Sequence, residues 1–132
     1  MSEFSEQMKE RTMVFAVGVL GLVDRLPHTT SGKVIAGQLA DSSTSVASNY
    51  RASCNARWRR EFIAKLGLVV EEADESVFWL QLIRRRNMAT TAELTPLLAE
   101  SLEIRNILAK SLGTARENAR RDSDPDSAMP SS

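Results

Sequence analysis

The sequence predicts an all-α fold, an antiparallel up-down bundle of four helices, and three observations carry that expectation. Apolar residues recur at steps of three and four in four separate stretches, the period of helices that each bury one face. No stretch alternates apolar and polar residues as a half-buried strand does. Short breaker segments at Pro27, around Asn55 and from Asn87 to Thr91 divide the stretches, and links that short join antiparallel neighbours. At 132 residues there is room for one domain with a real core, placed at residues 1–120 with a tail at 121–132.

The first helix is expected at about residues 4–26. Met8, Thr12, Phe15, Val19, Leu22 and Leu26 step by four and three, the spacing of a helix laid along another. Pro27 ends it by disfavouring helical geometry at Leu26. The apolar run Met13 to Val23 does not read as a secretory signal: Glu3, Glu6 and Glu10 outweigh Lys9 and Arg11 before it, and Asp24 and Arg25 follow without a small-residue cleavage site. It is also shorter than the roughly 20 apolar residues that cross a bilayer. A buried helix is the expectation, and no membrane partner.

The second helix is expected at about residues 30–52. Thr29, Thr30 and Ser31 offer oxygens to cap its start, and Ile35, Leu39, Val46 and Tyr50 mark its core face. Gly32, Ala36, Gly37, Ala40, Ser42, Ser43, Ser45, Ala47 and Ser48 make it rich in small residues, which suits close helix packing, with Gly18 and Gly21 of the first helix as facing partners. A serine nucleophile would need a base within reach. The one histidine, His28, lies in the preceding turn and reads as a solvated turn residue.

The third helix, expected at about residues 56–86, organises the rest. Trp58, Phe62, Ile63, Leu66, Val69, Val70, Ala73, Val77 and Leu80 fall in one stripe at 100° per residue. Leu68, Phe78, Trp79 and Leu82 fall outside it. A helix apolar nearly all round exceeds what three small companions can cover, so these four residues are expected at a contact between identical copies.

The fourth helix is expected at about residues 91–120. Thr90 and Glu93 have the spacing of a capping box. Pro96 either kinks the helix or moves its start to Thr95. Leu97, Ser101, Ile104, Leu108, Ser111 and Ala115 trace a core stripe, which Leu94, Leu98, Leu102 and Ile107 widen. Residues 121–132, RDSDPDSAMPSS, are acidic and aperiodic and are expected to be disordered.

The formal net charge is zero, with 17 lysines and arginines against 17 aspartates and glutamates. No field of the whole molecule therefore draws it to nucleic acid or anionic lipid, and any such binding is local. The single cysteine, Cys54, excludes an internal disulfide and a multi-cysteine metal site and fits the cytoplasm. Glu71, Glu72, Asp74 and Glu75 invite a carboxylate-metal site, but di-iron bundles pair glutamates with Glu-x-x-His motifs on facing helices. With one histidine, in a turn, no such set assembles, and no metal or other cofactor is expected.

Two basic clusters bracket the third helix: Arg57, Arg59, Arg60 and Lys65 at its start, and Arg84, Arg85 and Arg86 at its end. The terminal trio also suits the helix dipole. In an oligomer each cluster would be repeated, turning a modest local charge into a multivalent contact for nucleic acid.

The run from Gln38 to Leu82 resembles a known family. Its pieces are Gln38-Leu39, then Ser42-Ser43-Thr44-Ser45-Val46-Ala47-Ser48-Asn49-Tyr50-Arg51-Ala52, then Glu61-Phe62-Ile63-Ala64-Lys65-Leu66-Gly67, and Glu71-Glu72-Ala73-Asp74-Glu75-Ser76-Val77-Phe78-Trp79-Leu80. In order and spacing they resemble the four-helix bundle proteins also called bacterial 23S rRNA intervening-sequence proteins, once labelled ribosomal protein S23. The resemblance implies an antiparallel bundle and a homopentameric ring. It also relates the chain to accessory proteins of diversity-generating retroelements, which associate with a reverse transcriptase and bind nucleic acid. The chain departs from one family pattern after the second helix, where Ser53 and Asn55 stand in place of glycines and Trp58 replaces a small polar residue. The expectation is a non-enzymatic, oligomeric interaction or scaffold protein; the alternative is an accessory protein that contacts RNA or a reverse transcriptase through the two arginine clusters.

Overall fold

The computed structural model describes residues 2–122. They form α1 (Glu3–Asp24), α2 (Thr30–Cys54), α3 (Arg59–Arg85) and α4 (Thr91–Asp122), with no strand among the described residues. The links are no longer than five residues, so each helix reverses its predecessor. α1 packs on α2, α2 on α3 and α3 on α4, while α1 and α4 close the ring loosely. α1 and α3 are therefore diagonal and run in the same direction. This is the all-α four-helix bundle that the periodicity predicts.

The core follows the expected stripes. Val19 and Leu22 of α1, Leu39 and Val46 of α2, Leu66, Val69, Leu80 and Ile83 of α3, and Ile104 and Leu108 of α4 are all excluded from solvent. The α2–α3 seam also buries hydroxyls. Ser42, Ser43, Ser53 and Ser76 are buried, and each lies within bonding distance of a backbone carbonyl three or four residues earlier. The small side chains let the two axes approach, as expected for α2. The glycines take a different part. Gly37 faces open space, Gly18 lies against Leu97 of α4, and the side chain nearest Gly21 is Arg25, the residue that follows α1.

Caps set the boundaries. The Thr29 hydroxyl accepts from the Gly32 N–H at 3.1 Å and starts α2. α3 ends in a Schellman motif: the Asn87 N–H donates to the Arg84 carbonyl and the Met88 N–H to the Ile83 carbonyl, both at 3.1 Å. Asn87 takes the left-handed conformation this requires, with φ 54°, which asparagine tolerates better than most residues. The Thr90 hydroxyl accepts from the Glu93 N–H at 3.2 Å. With that cap and Leu94 buried, α4 starts at Thr91 and carries Pro96 in its interior, so the alternative start at Thr95 does not occur.

Two of the boundaries that differ from expectation have a visible cause. α3 begins at Arg59, not at residue 56, because Trp58 is extended, with φ −117° and ψ 145°. That breaks the 100° progression and turns Trp58 out of the core stripe, leaving it half exposed. α4 continues through Arg121 to Asp122, because the nearly buried Arg59 guanidinium donates to the Asp122 carboxylate at 2.6 Å. Of the expected disordered tail, 121 and 122 are therefore helical and 123–132 lie outside the described residues.

Candidate functional site

At 100° per residue, α3 turns Arg60, Leu68, Glu71, Glu75 and Phe78 away from the bundle. Of the four residues expected at a contact between copies, Leu68 is 50% and Phe78 54% exposed. Trp79 and Leu82 are partly buried against the core, and the Phe78 and Trp79 rings meet edge to face at 4.8 Å. The uncovered apolar surface of α3 is thus smaller than the sequence suggests, because Trp79 and Leu82 find cover within the chain.

A larger apolar face lies on α1. Met13, Val14, Val17 and Leu20 are exposed, Val17 to 63% and Val14 to 59%. Sequence reasoning placed this run in a buried helix. Its signal was nonetheless present, since these positions lie opposite the Met8, Phe15, Val19 and Leu22 stripe and are still apolar. Exposed faces of this kind on one molecule mark contact surfaces. Because α1 and α3 are diagonal, the two faces look away from each other.

The seven basic candidates do not form one site. Arg57, Arg59, Arg60 and Lys65 lie at the start of α3 and Arg84, Arg85 and Arg86 at its other end, about 40 Å away for a 27-residue helix. Arg59 is not available as a surface cation: it is buried and bound to Asp122, with a weak contact at 3.5 Å to the Asn118 carbonyl. Arg84, Arg85 and Arg86 are exposed and have no ion pair among the described residues.

The acidic run on α3 splits as well. Asp74 accepts from Arg105 of α4 at 2.8 Å. Glu72 sits nearer the core, and burial, reinforced by Glu75, Glu71 and Asp41, raises its carboxyl above the usual range. Among the described residues no three His, Cys, Asp or Glu side chains converge as a metal site would need. His28 is exposed in the α1–α2 link.

The model of the 23S rRNA-intervening sequence protein family matches residues 6–110, most of the chain. The chain belongs to that family. A crystal structure from Bacteroides thetaiotaomicron, titled a protein with unknown function from the S23 ribosomal protein family, is similar to it. The two share 30% identity and a TM-score of 0.73, over 80% of this chain and 97% of that one. No curated protein matches the chain. In this intervening-sequence protein the family match takes in both exposed faces and both basic clusters, since all lie within residues 6–110. No helix of the described residues is long and apolar enough to cross a membrane.

Proposed function

We propose that this intervening-sequence family protein is a non-enzymatic interaction or scaffold protein that works as a homo-oligomer. The observation that carries the reading is the pair of exposed apolar faces, Met13, Val14, Val17 and Leu20 on α1 and Leu68 with Phe78 on α3. Two unlike faces on opposite sides of one molecule pair head to tail, and head-to-tail contacts close into rings when the rotation allows. A ring of five is the number the family resemblance implies. Charge supports this pairing at one end: Glu3, Glu6 and Glu10 outnumber Lys9 and Arg11 before the α1 face, Arg57 precedes the α3 face, and since α1 and α3 run in the same direction, copies with parallel axes place these two ends side by side.

Light scattering at micromolar concentration tests this. The natural chain should give the mass of a closed oligomer, and Val17→Glu and Phe78→Glu should each lower it toward one chain. A monomeric natural chain would overturn the reading.

Arg84, Arg85 and Arg86, exposed and without an ion pair among the described residues, favour a second reading, a cytoplasmic accessory protein that contacts RNA or a reverse transcriptase through a cluster repeated round the ring. Replacing all three by glutamine should abolish salt-sensitive RNA binding, because each phosphate contact contributes to the salt slope. An absence of RNA binding at low salt would remove the RNA form of this reading.

A further inference from the structure

At the end of the bundle where α1 begins, α4 outruns it. Arg11 of α1 lies opposite Glu100 and Glu103 of α4, bonded to them at 2.8 and 2.9 Å. From that level α1 continues about 12 Å to Glu3, whereas α4 continues about 30 Å to Asp122. The overhang leaves the inward side of the last turns of α4 without cover from α1. A cavity of about 460 Å³ opens there, between α4, the start of α1, the end of α2 and the start of α3. That volume lies within the roughly 300 to 1,000 Å³ of small-molecule sites.

Its chemistry is one-sided. Phe4, Tyr50, Phe62 and Ile107 supply aromatic and aliphatic walls. Among the described residues no carboxylate lines it, and its two cations are Arg59 and Lys110. Arg59 is bound to Asp122. Lys110 is exposed and has no partner among the described residues. An apolar chamber with one open cation fits a ligand with a hydrocarbon body and one negative head.

We propose that this cavity binds a free amphipathic monocarboxylate of medium chain length, its hydrocarbon between Phe62 and Ile107 and its carboxylate at Lys110. Cys54, the only cysteine of the chain, lines the same cavity and so reports occupancy. Neither exposed apolar face contributes to the site apart from their shared helices, so it stands independently of oligomer formation.

The test uses the full chain with decanoate below its micellar concentration and decanol as the uncharged control. Titration calorimetry should show saturable binding near one decanoate per chain. Bound decanoate should slow the reaction of Cys54 with an aromatic disulfide reagent. Lys110→Gln, a surface change that leaves the fold intact, should weaken decanoate about fivefold and leave decanol unchanged. Ala115→Trp, which fills the cavity, should abolish both while circular dichroism confirms the helices. The absence of saturable binding, decanol binding as tightly as decanoate, or an unchanged affinity in Lys110→Gln would overturn the proposal. So would co-sedimentation with phosphatidylglycerol vesicles under conditions where free decanoate does not bind, which would assign the cavity to membrane lipid.

Discussion

The Ser76 hydroxyl donates to the Ser42 hydroxyl at 2.9 Å across the α2–α3 seam, with both side chains excluded from solvent. Each oxygen also lies within bonding distance of a carbonyl of its own helix, Ser42 of Leu39 and Ser76 of Glu72. The two hydroxyls thus form a short chain in which both protons are used. Ser42→Ala and Ser76→Ala should each destabilise the fold by about 1 kcal/mol, the ordinary worth of a buried hydrogen bond. The double change should cost less than the sum, because the shared bond is lost only once. Ser76→Leu should cost more than either alanine, since the seam has no room for it. Urea unfolding of the four variants measures all of these.

The Arg59–Asp122 pair ties the start of α3 to the end of α4. The Arg59 side chain is 9% exposed, that of Asp122 54%, so removing the carboxylate leaves a buried cation whose remaining partner among the described residues is the distant Asn118 carbonyl. Asp122→Ala should therefore destabilise by about 1 to 3 kcal/mol. It should also fray the last turn of α4, seen as faster amide exchange after Asn118. A surface change such as Arg121→Ala should stay within about 0.5 kcal/mol.

Glycines in the bundle should respond with opposite signs. A Cβ on Gly32 would stand 1.9 Å from the Pro27 carbonyl oxygen, a backbone atom fixed by the turn. Gly32→Ala should destabilise by more than about 2 kcal/mol, because either the turn or the Thr29 cap must give way. Gly37 and Gly113 meet nothing, so alanine at either should stabilise by about 0.5 to 1 kcal/mol through helix propensity alone. Thermal unfolding separates the three.

The core stripes and links of the bundle were legible because burial of one face is written in each helix's own period. Whether the opposite face is covered is a property of pairing. Val17 and Phe78 stay exposed, whereas Trp79 and Leu82 find neighbours, and no spacing within a single helix distinguishes these cases. Arg59 shows the same limit, since it reads as a member of a basic cluster until α4 brings Asp122 to it. The cavity was equally hidden, because the overhang that opens it depends on the level at which Arg11 meets Glu100. Asn87 was legible as part of a polar break, though not as the left-handed residue that ends α3.

Glu72 gives the bundle a local pH dependence whose sign follows from its surroundings. Burial is the main cause of its raised pKa, followed by Glu75 and Glu71 on the same helix and Asp41 on α2. The folded chain therefore holds the proton more tightly than the unfolded chain, for which about 4.5 is the reference. The ionised carboxylate costs stability at neutral pH; that cost fades as pH falls through the raised value, and it is gone once both states are protonated. Glu72→Gln should accordingly raise the melting temperature at pH 7, by less than about 1 kcal/mol in stability because the group is only partly buried, and should lose this advantage below about pH 4. The Glu72 carbonyl that lies 3.0 Å from the Ser76 hydroxyl is backbone and survives the change, so the effect is electrostatic alone. Added salt should narrow the gap at pH 7 by screening the neighbouring carboxylates. Glu93 has the opposite sign: Arg25 and Thr90 lower its pKa, so its contribution is present above the ordinary glutamate value and is lost as pH falls through the lowered one. Melting curves of the natural chain, Glu72→Gln and Glu93→Gln between pH 3 and 8 should therefore diverge in opposite directions at neutral pH and converge in acid.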